Sequence, residues 1–202
     1  MKPRLIIEQK ITAFVNRYVV FTTDEQGKKV GMAAFVEQKR LAFKEKVSFY
    51  SDESKSELIF TFRAEKVLDV HGRYLVEDGN GNYIGAFKKE FAKSLFNSTW
   101  NILDSDGKAA LIISESNQIL AVARRFVGFI PIVGELFDIV LAFFRYHFTL
   151  MVPGTKQEVG TYQKTTLFRD HYLLSTSDDV HATQDWRVLA AMAVALDALQ
   201  SR

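Results

Sequence analysis

The chain contains no cysteine. Disulfides, cysteine-ligated zinc, iron–sulfur clusters and thiol catalysis are therefore excluded. It also lacks a strong charge of either sign. Twenty-six Lys and Arg against 24 Asp and Glu leave a net charge of +2, with an isoelectric point of about 8.7. Such a small basic excess does not point to nucleic acid as a partner. The longest uninterrupted apolar run, Val188 to Leu196, has nine residues, well short of the roughly 20 that a membrane-spanning helix needs. The first residues carry Lys2 and Arg4 but only Leu5 to Ile7 before Glu8. They lack the long apolar stretch and small-residue cleavage site of a signal peptide, so a cytoplasmic location is expected.

The signatures of catalysis are missing as well. There is no Gly-x-Ser-x-Gly elbow and no phosphate-binding loop followed by a helix. His71, His147, His171 and His181 are scattered, with none of the spacing of metal ligands. No catalytic residue, metal or cofactor is expected. Asp104-Ser-Asp-Gly107 has the look of a calcium loop, and Glu115 falls at its twelfth position. The stretch between them, Ala109 to Ile113, reads as a strand that would carry Glu115 away.

What the sequence does contain is a globular composition, 48% hydrophobic and 25% charged over 202 residues, in keeping with a single domain over 1–202. The first half reads as successive hairpins. Tyr18 to Thr22 and Lys28 to Val36 flank Asp24-Glu25-Gln26-Gly27. Arg73 to Glu77 and Tyr83 to Phe87 flank Asp78-Gly79-Asn80-Gly81. Trp100 to Leu103 and Ala109 to Ile113 flank Asp104 to Gly107. Val47 to Tyr50 and the alternating Leu58, Phe60 and Phe62 add further strands. Helical spacing appears over Ser116 to Arg125, and Pro131 suits the first turn of a second helix reaching about Phe144. Strands resume with Tyr146, Phe148, Leu150 and Val152 on one face, Pro153-Gly154 as a turn, then Val159 to Thr166 and Tyr172 to Ser175.

The last segment, Asp185 to Gln200, reads as a helix. It is apolar on every side and kept slender by Ala190, Ala191, Ala193, Ala195 and Ala198. A helix apolar all round must be enclosed by protein. A thin apolar helix after about a dozen short strands suits the space inside a large barrel. The expected fold is therefore mainly β: an antiparallel closed barrel of about twelve strands around a buried C-terminal helix at 185–200, with one or two extra helices around 116–144. A lumen so filled has no room for a ligand, which leaves the outer wall or a rim for recognition. Asp197, which interrupts the helix, is expected at the barrel mouth, bonded to backbone or to a basic partner. Trp186 is expected to close the lumen, and Trp100 and Phe96 to lie in the core.

Three stretches resemble the LURP-one-related proteins of the tubby C-terminal-like and phospholipid scramblase superfamily. They are Lys66 to Gly85, Ser94 to Gly107 and the closing Asp185 to Leu199. The resemblance covers nearly the whole chain and implies a twelve-stranded barrel around a hydrophobic helix. It also implies function only loosely: tubby proteins bind phosphoinositide head groups with basic side chains, and scramblases act at membranes. The stretch from Phe126 to Phe144 is longer and more apolar than the shortest members would have.

Basic clusters are the candidate binding residues: Lys88, Lys89 and Lys93 after a strand, Arg124 and Arg125 at a helix end, and a further group of Lys39, Arg40, Lys44 and Lys46. Each cation near an anionic membrane contributes about 1 kcal/mol, although Glu37, Glu45 and Glu90 dilute the field. Thirteen of the nineteen residues from Phe126 to Phe144 are Ile, Leu, Val or Phe. They favour membrane insertion by about 6 kcal/mol, and Glu135 and Asp138 oppose it by about 3 kcal/mol each. No spanning helix follows. The segment reads as a helix on the barrel wall, a membrane-interface helix or a contact in a homodimer. Two functions result: a non-enzymatic module binding anionic lipid head groups peripherally at a membrane, or a soluble scaffold that meets a protein partner through 126–144.

Overall fold

Alternation of side chains is what turns these short segments into a barrel wall. In a strand, successive residues face opposite sides. Phe148 and Leu150, and Tyr172, Leu174 and Thr176, are buried at every second position with half-buried residues between them. A computed structural model describes residues 1–11, 15–39, 46–65, 72–90, 98–116, 147–166 and 170–200. Among them are twelve strands and two helices. The strands are β1 (Lys2–Ile11), β2 (Val15–Thr23), β3 (Lys29–Lys39), β4 (Val47–Tyr50), β5 (Leu58–Ala64) and β6 (Arg73–Asp78). They continue with β7 (Tyr83–Lys89), β8 (Thr99–Leu103), β9 (Ala109–Glu115), β10 (His147–Met151), β11 (Glu158–Lys164) and β12 (His171–Thr176). The helices are α1 (Asp178–Thr183) and α2 (Trp186–Gln200).

Each strand pairs antiparallel with its neighbours in sequence, and β1 closes the circle against β12. The closing register runs from Lys2 opposite Thr176 to Glu8 opposite His171. Closure matters energetically, because every described strand has a neighbour on both sides and none is a sheet edge. The sequence pattern alone does not mark β1 as a strand. Its pattern, Leu5 and Ile7 inward among charged neighbours, is short, and its pairing partner lies at the far end of the chain. The short helix α1, capped by the Ser177 hydroxyl accepting from the Val180 amide at 3.3 Å, was likewise not anticipated.

α2 runs through the lumen. Val188 to Leu196 are all between 0% and 4% exposed. The wall meets this helix from around the circle. The Phe60 ring stands edge-on to Trp186 at 5.7 Å. The Tyr162 hydroxyl donates to the Ala193 carbonyl at 3.1 Å. Gly85 of β7 lies against Val188, where a Cβ would come within 2.9 Å of a Val188 methyl and 2.8 Å of the Leu103 carbonyl oxygen. The glycine therefore lets wall and helix touch.

Three hairpins turn on one device. Asp24, Asp78 and Asp104 each accept, through one carboxylate oxygen, the backbone amides two and four residues on, at 2.8–3.0 Å. Gly27, Gly81 and Gly107 follow with φ of 79°, 88° and 77°, the left-handed conformation that glycine adopts without strain. In each hairpin the register slips by one residue where the strand enters the turn. Asp104 is thus occupied by its own turn, and Glu115 lies at the far end of β9, accepting from the Ser98 amide at 3.4 Å. The two ends of that calcium-like pattern are separated by a strand.

The helical spacing over 116–144 lies outside the described residues, apart from Ser116, whose amide donates to the His147 carbonyl at 2.8 Å. Phe96 and Tyr146 also lie outside them. Trp100 is buried, as expected.

Candidate functional site

With α2 inside, the two ends of the barrel and the outer wall remain for recognition. At the end where α2 finishes, the lumen is closed by a buried polar cluster. Asp197, 2% exposed, accepts hydrogen bonds from the hydroxyls of Tyr18, at 3.0 Å, and Tyr172. The Gln9 side-chain amide donates in turn to the Tyr18 hydroxyl at 3.0 Å. Among the described residues, two tyrosine hydroxyls, not backbone or a basic side chain, are the hydrogen-bonding partners of this carboxyl. The tyrosines reach it because their rings fill the lumen and their hydroxyls project to its end. Burial pushes the Asp197 carboxyl up to about 6, and the two hydroxyls hold it back from rising further. Burial, then the neighbouring Asp197 charge, raises the Tyr172 phenol well above its ordinary range.

Lys88 and Lys89 also lie at this end, on the last turn of the zigzag of β7. Adjacent residues of a strand point to opposite faces, so they do not form one patch. Lys88 sits beside Arg73 and Asn101 in the ladder, and its ammonium is 3.5 Å from the Glu90 carboxylate. Lys89 falls in register with Phe87, and its ammonium stands 5.8 Å from the Trp100 ring centre. Arg73 pairs with Glu65 at 3.7 Å. Lys88 and Arg73 are thus each paired with a carboxylate. Lys93, Arg124, Arg125, Arg40 and Lys44, and the side chain of Lys39, lie outside the described residues; Lys46 is exposed.

The opposite end, where α2 begins, holds a cleft of about 420 Å³. β1, β2, β3 and β12 form one side, and α1 and the first turn of α2 form the other. Leu5, Leu174 and Leu189 give it an apolar floor, and Trp186, expected to seal the lumen, is part of its wall. Arg4, Thr23 and Thr176 line it together with His181 and Gln184 from the α1 side. Arg4 reaches out to Asp178 at the start of α1, and Lys2 meets the same carboxylate at 3.4 Å. Those two cations strap α1 across the mouth and hold the Asp178 carboxyl below its usual range, the Arg4 hydrogen bond contributing most. Three polar atoms in these residues, Arg4 Nε, Thr23 Oγ1 and Thr176 Oγ1, are shielded from water and have no hydrogen-bond partner among the described residues. Each such atom costs about 1–3 kcal/mol, and native proteins keep few of them. No sequence motif marked this cleft. Its residues come from positions 4 to 189 and meet only because β1 closes against β12.

Among the described residues no group of three or more His, Asp or Glu is placed to hold a metal ion, and no helix is long and apolar enough to cross a membrane.

Fold and rim together define a closed, twelve-stranded antiparallel barrel occluded by its own C-terminal helix. The chain belongs to the LURP-one-related family, whose model matches residues 32–197. No curated protein matches the sequence significantly. The matched stretch begins within β3, so β1 and β2, which complete the barrel and supply Arg4 and Thr23 to the cleft, precede it.

Proposed function

We propose that the protein is a non-enzymatic binding module of the LURP-one-related type, recognising its partner outside the lumen. The occlusion of the lumen by α2 carries this reading, because Val188 to Leu196 leave the interior no space for a ligand. Its finer form is peripheral association with anionic lipid head groups, from the cytoplasm, through Lys88, Lys89, Lys93, Arg124 and Arg125. In support, Lys88 is 40% exposed, and β7 and β9, the strands preceding Lys93 and Arg124, both finish at the same end of the barrel.

Flotation with anionic vesicles tests the membrane form. Binding at low salt, weakened several-fold by Lys88→Glu with Arg124→Glu and Arg125→Glu and by raised salt, is the expected result. No flotation at low salt removes it. In that case the protein-interaction form, which uses the apolar segment 126–144, predicts an oligomer or complex that polar substitution of Phe137 or Phe144 dissolves.

A further inference from the structure

We propose that the cleft at the α2-entry end of the barrel binds a small amphiphilic carboxylate, its head at Arg4 and Thr176 and its apolar body along Leu174, Trp186 and Leu189. The site is independent of the membrane reading, because Lys88 and Lys89 lie at the other end. Its volume of about 420 Å³ falls within the range of small-molecule pockets. The floor is apolar: Leu5, Leu174 and Leu189 are each at most 4% exposed, and the indole of Trp186 adds a flat wall.

The head group follows from charge and from hydrogen-bonding capacity. The Arg4 side chain is 18% exposed, while its counter-ion Asp178 is 69% exposed. Water therefore screens the carboxylate more than the guanidinium, and the guanidinium is the charge that lines the cleft. A guanidinium only donates hydrogen bonds, and a threonine hydroxyl is able to donate. Arg4 Nε, Thr23 Oγ1 and Thr176 Oγ1 share the lack of a partner among the described residues, and each is able to donate to an oxygen acceptor. These atoms are shielded from solvent, so binding includes a small turn of the threonine side chains about χ1 and of the guanidinium toward the head. A cationic head would meet the guanidinium, and no carboxylate among the described residues lines the cleft to offset it.

Octanoate and octylamine, titrated calorimetrically into the full-length protein, test the proposal. Saturable binding of octanoate is expected, with octylamine at least tenfold weaker. Thr176→Val keeps the side-chain shape and removes the hydroxyl, and it should weaken octanoate about fivefold or more. Arg4→Gln should weaken it further. Ala33→Phe, which fills the cleft from its rim, should abolish binding while a cooperative melt shows that the barrel is intact. Failure of octanoate to saturate at millimolar concentration overturns the proposal. So does octylamine binding as tightly, or octanoate affinity unchanged in Thr176→Val and in Ala33→Phe.

Discussion

Asp197 is the residue whose protonation this fold controls most directly. It sits 2% exposed between the hydroxyls of Tyr18 and Tyr172, and burial raises its carboxyl from about 4 to about 6. The folded state thus binds a proton that the unfolded chain releases near pH 4. The resulting stabilisation is present below about pH 4 and is lost as pH rises through 6, by about 3 kcal/mol in all. Asp178, Asp78, Asp52 and Glu37 shift the other way, and their contribution is lost instead as pH falls below the carboxylate range. The comparison of wild type with Asp197→Asn cancels those four. The stability of Asp197→Asn relative to wild type, from urea melts, should rise by about 3 kcal/mol between pH 4 and pH 7. A pH-independent difference would mean that Asp197 titrates normally. The apolar run around Asp197 showed that it lies on a buried helix. That its partners are tyrosines 179 and 25 residues away in sequence was decided by the barrel's register, which no local pattern carries.

At the scale of elements, the hairpins were the most legible part. Asp-x-x-Gly recurs at 24–27, 78–81 and 104–107 because the turn needs a side-chain oxygen for two amides and a residue content with positive φ. Both requirements are local, so sequence reveals them. Asp104→Ala should lower stability by about 1 kcal/mol through the loss of both amide bonds, and Asp104→Asn, which keeps an acceptor, should recover most of it. Equal melts for the alanine and wild-type proteins would show that the turn stands without the carboxylate. Lys88 and Lys89 illustrate the opposite case. Neighbours in sequence look like one basic patch, yet the pleat sends one toward Glu90 and the other toward Trp100. Charge clusters counted along a strand overstate the field on either face.

At the scale of the whole molecule, α2 fills the lumen and completes the barrel's core. Ala190, Ala191, Ala193 and Ala195 are at most 1% exposed, and Gly85 lets the wall close onto Val188. The helix is thin because the lumen is narrow, and packing at interior density leaves no slack. Ala193→Leu, beside the Tyr162 hydroxyl that donates to its carbonyl, should cost about 1–3 kcal/mol by overpacking. Met192→Leu, a swap of similar volume, should cost less than about 1.5 kcal/mol. Denaturant midpoints of the two variants check the contrast, and a neutral Ala193→Leu would mean that the helix has room to shift.

The amino-acid sequence alone determined the hairpins, the apolar terminus and the need to enclose it, since turn geometry and hydrophobic periodicity act over a few residues. The tertiary structure alone decided how the circle closes, because the pairing of β1 with β12 joins residues some 170 positions apart. That closure sets Arg4 beside Thr176 and α1, and with them the cleft at the rim. Contacts over such a span depend on the sum of all twelve registers, and no short stretch of chain encodes that sum.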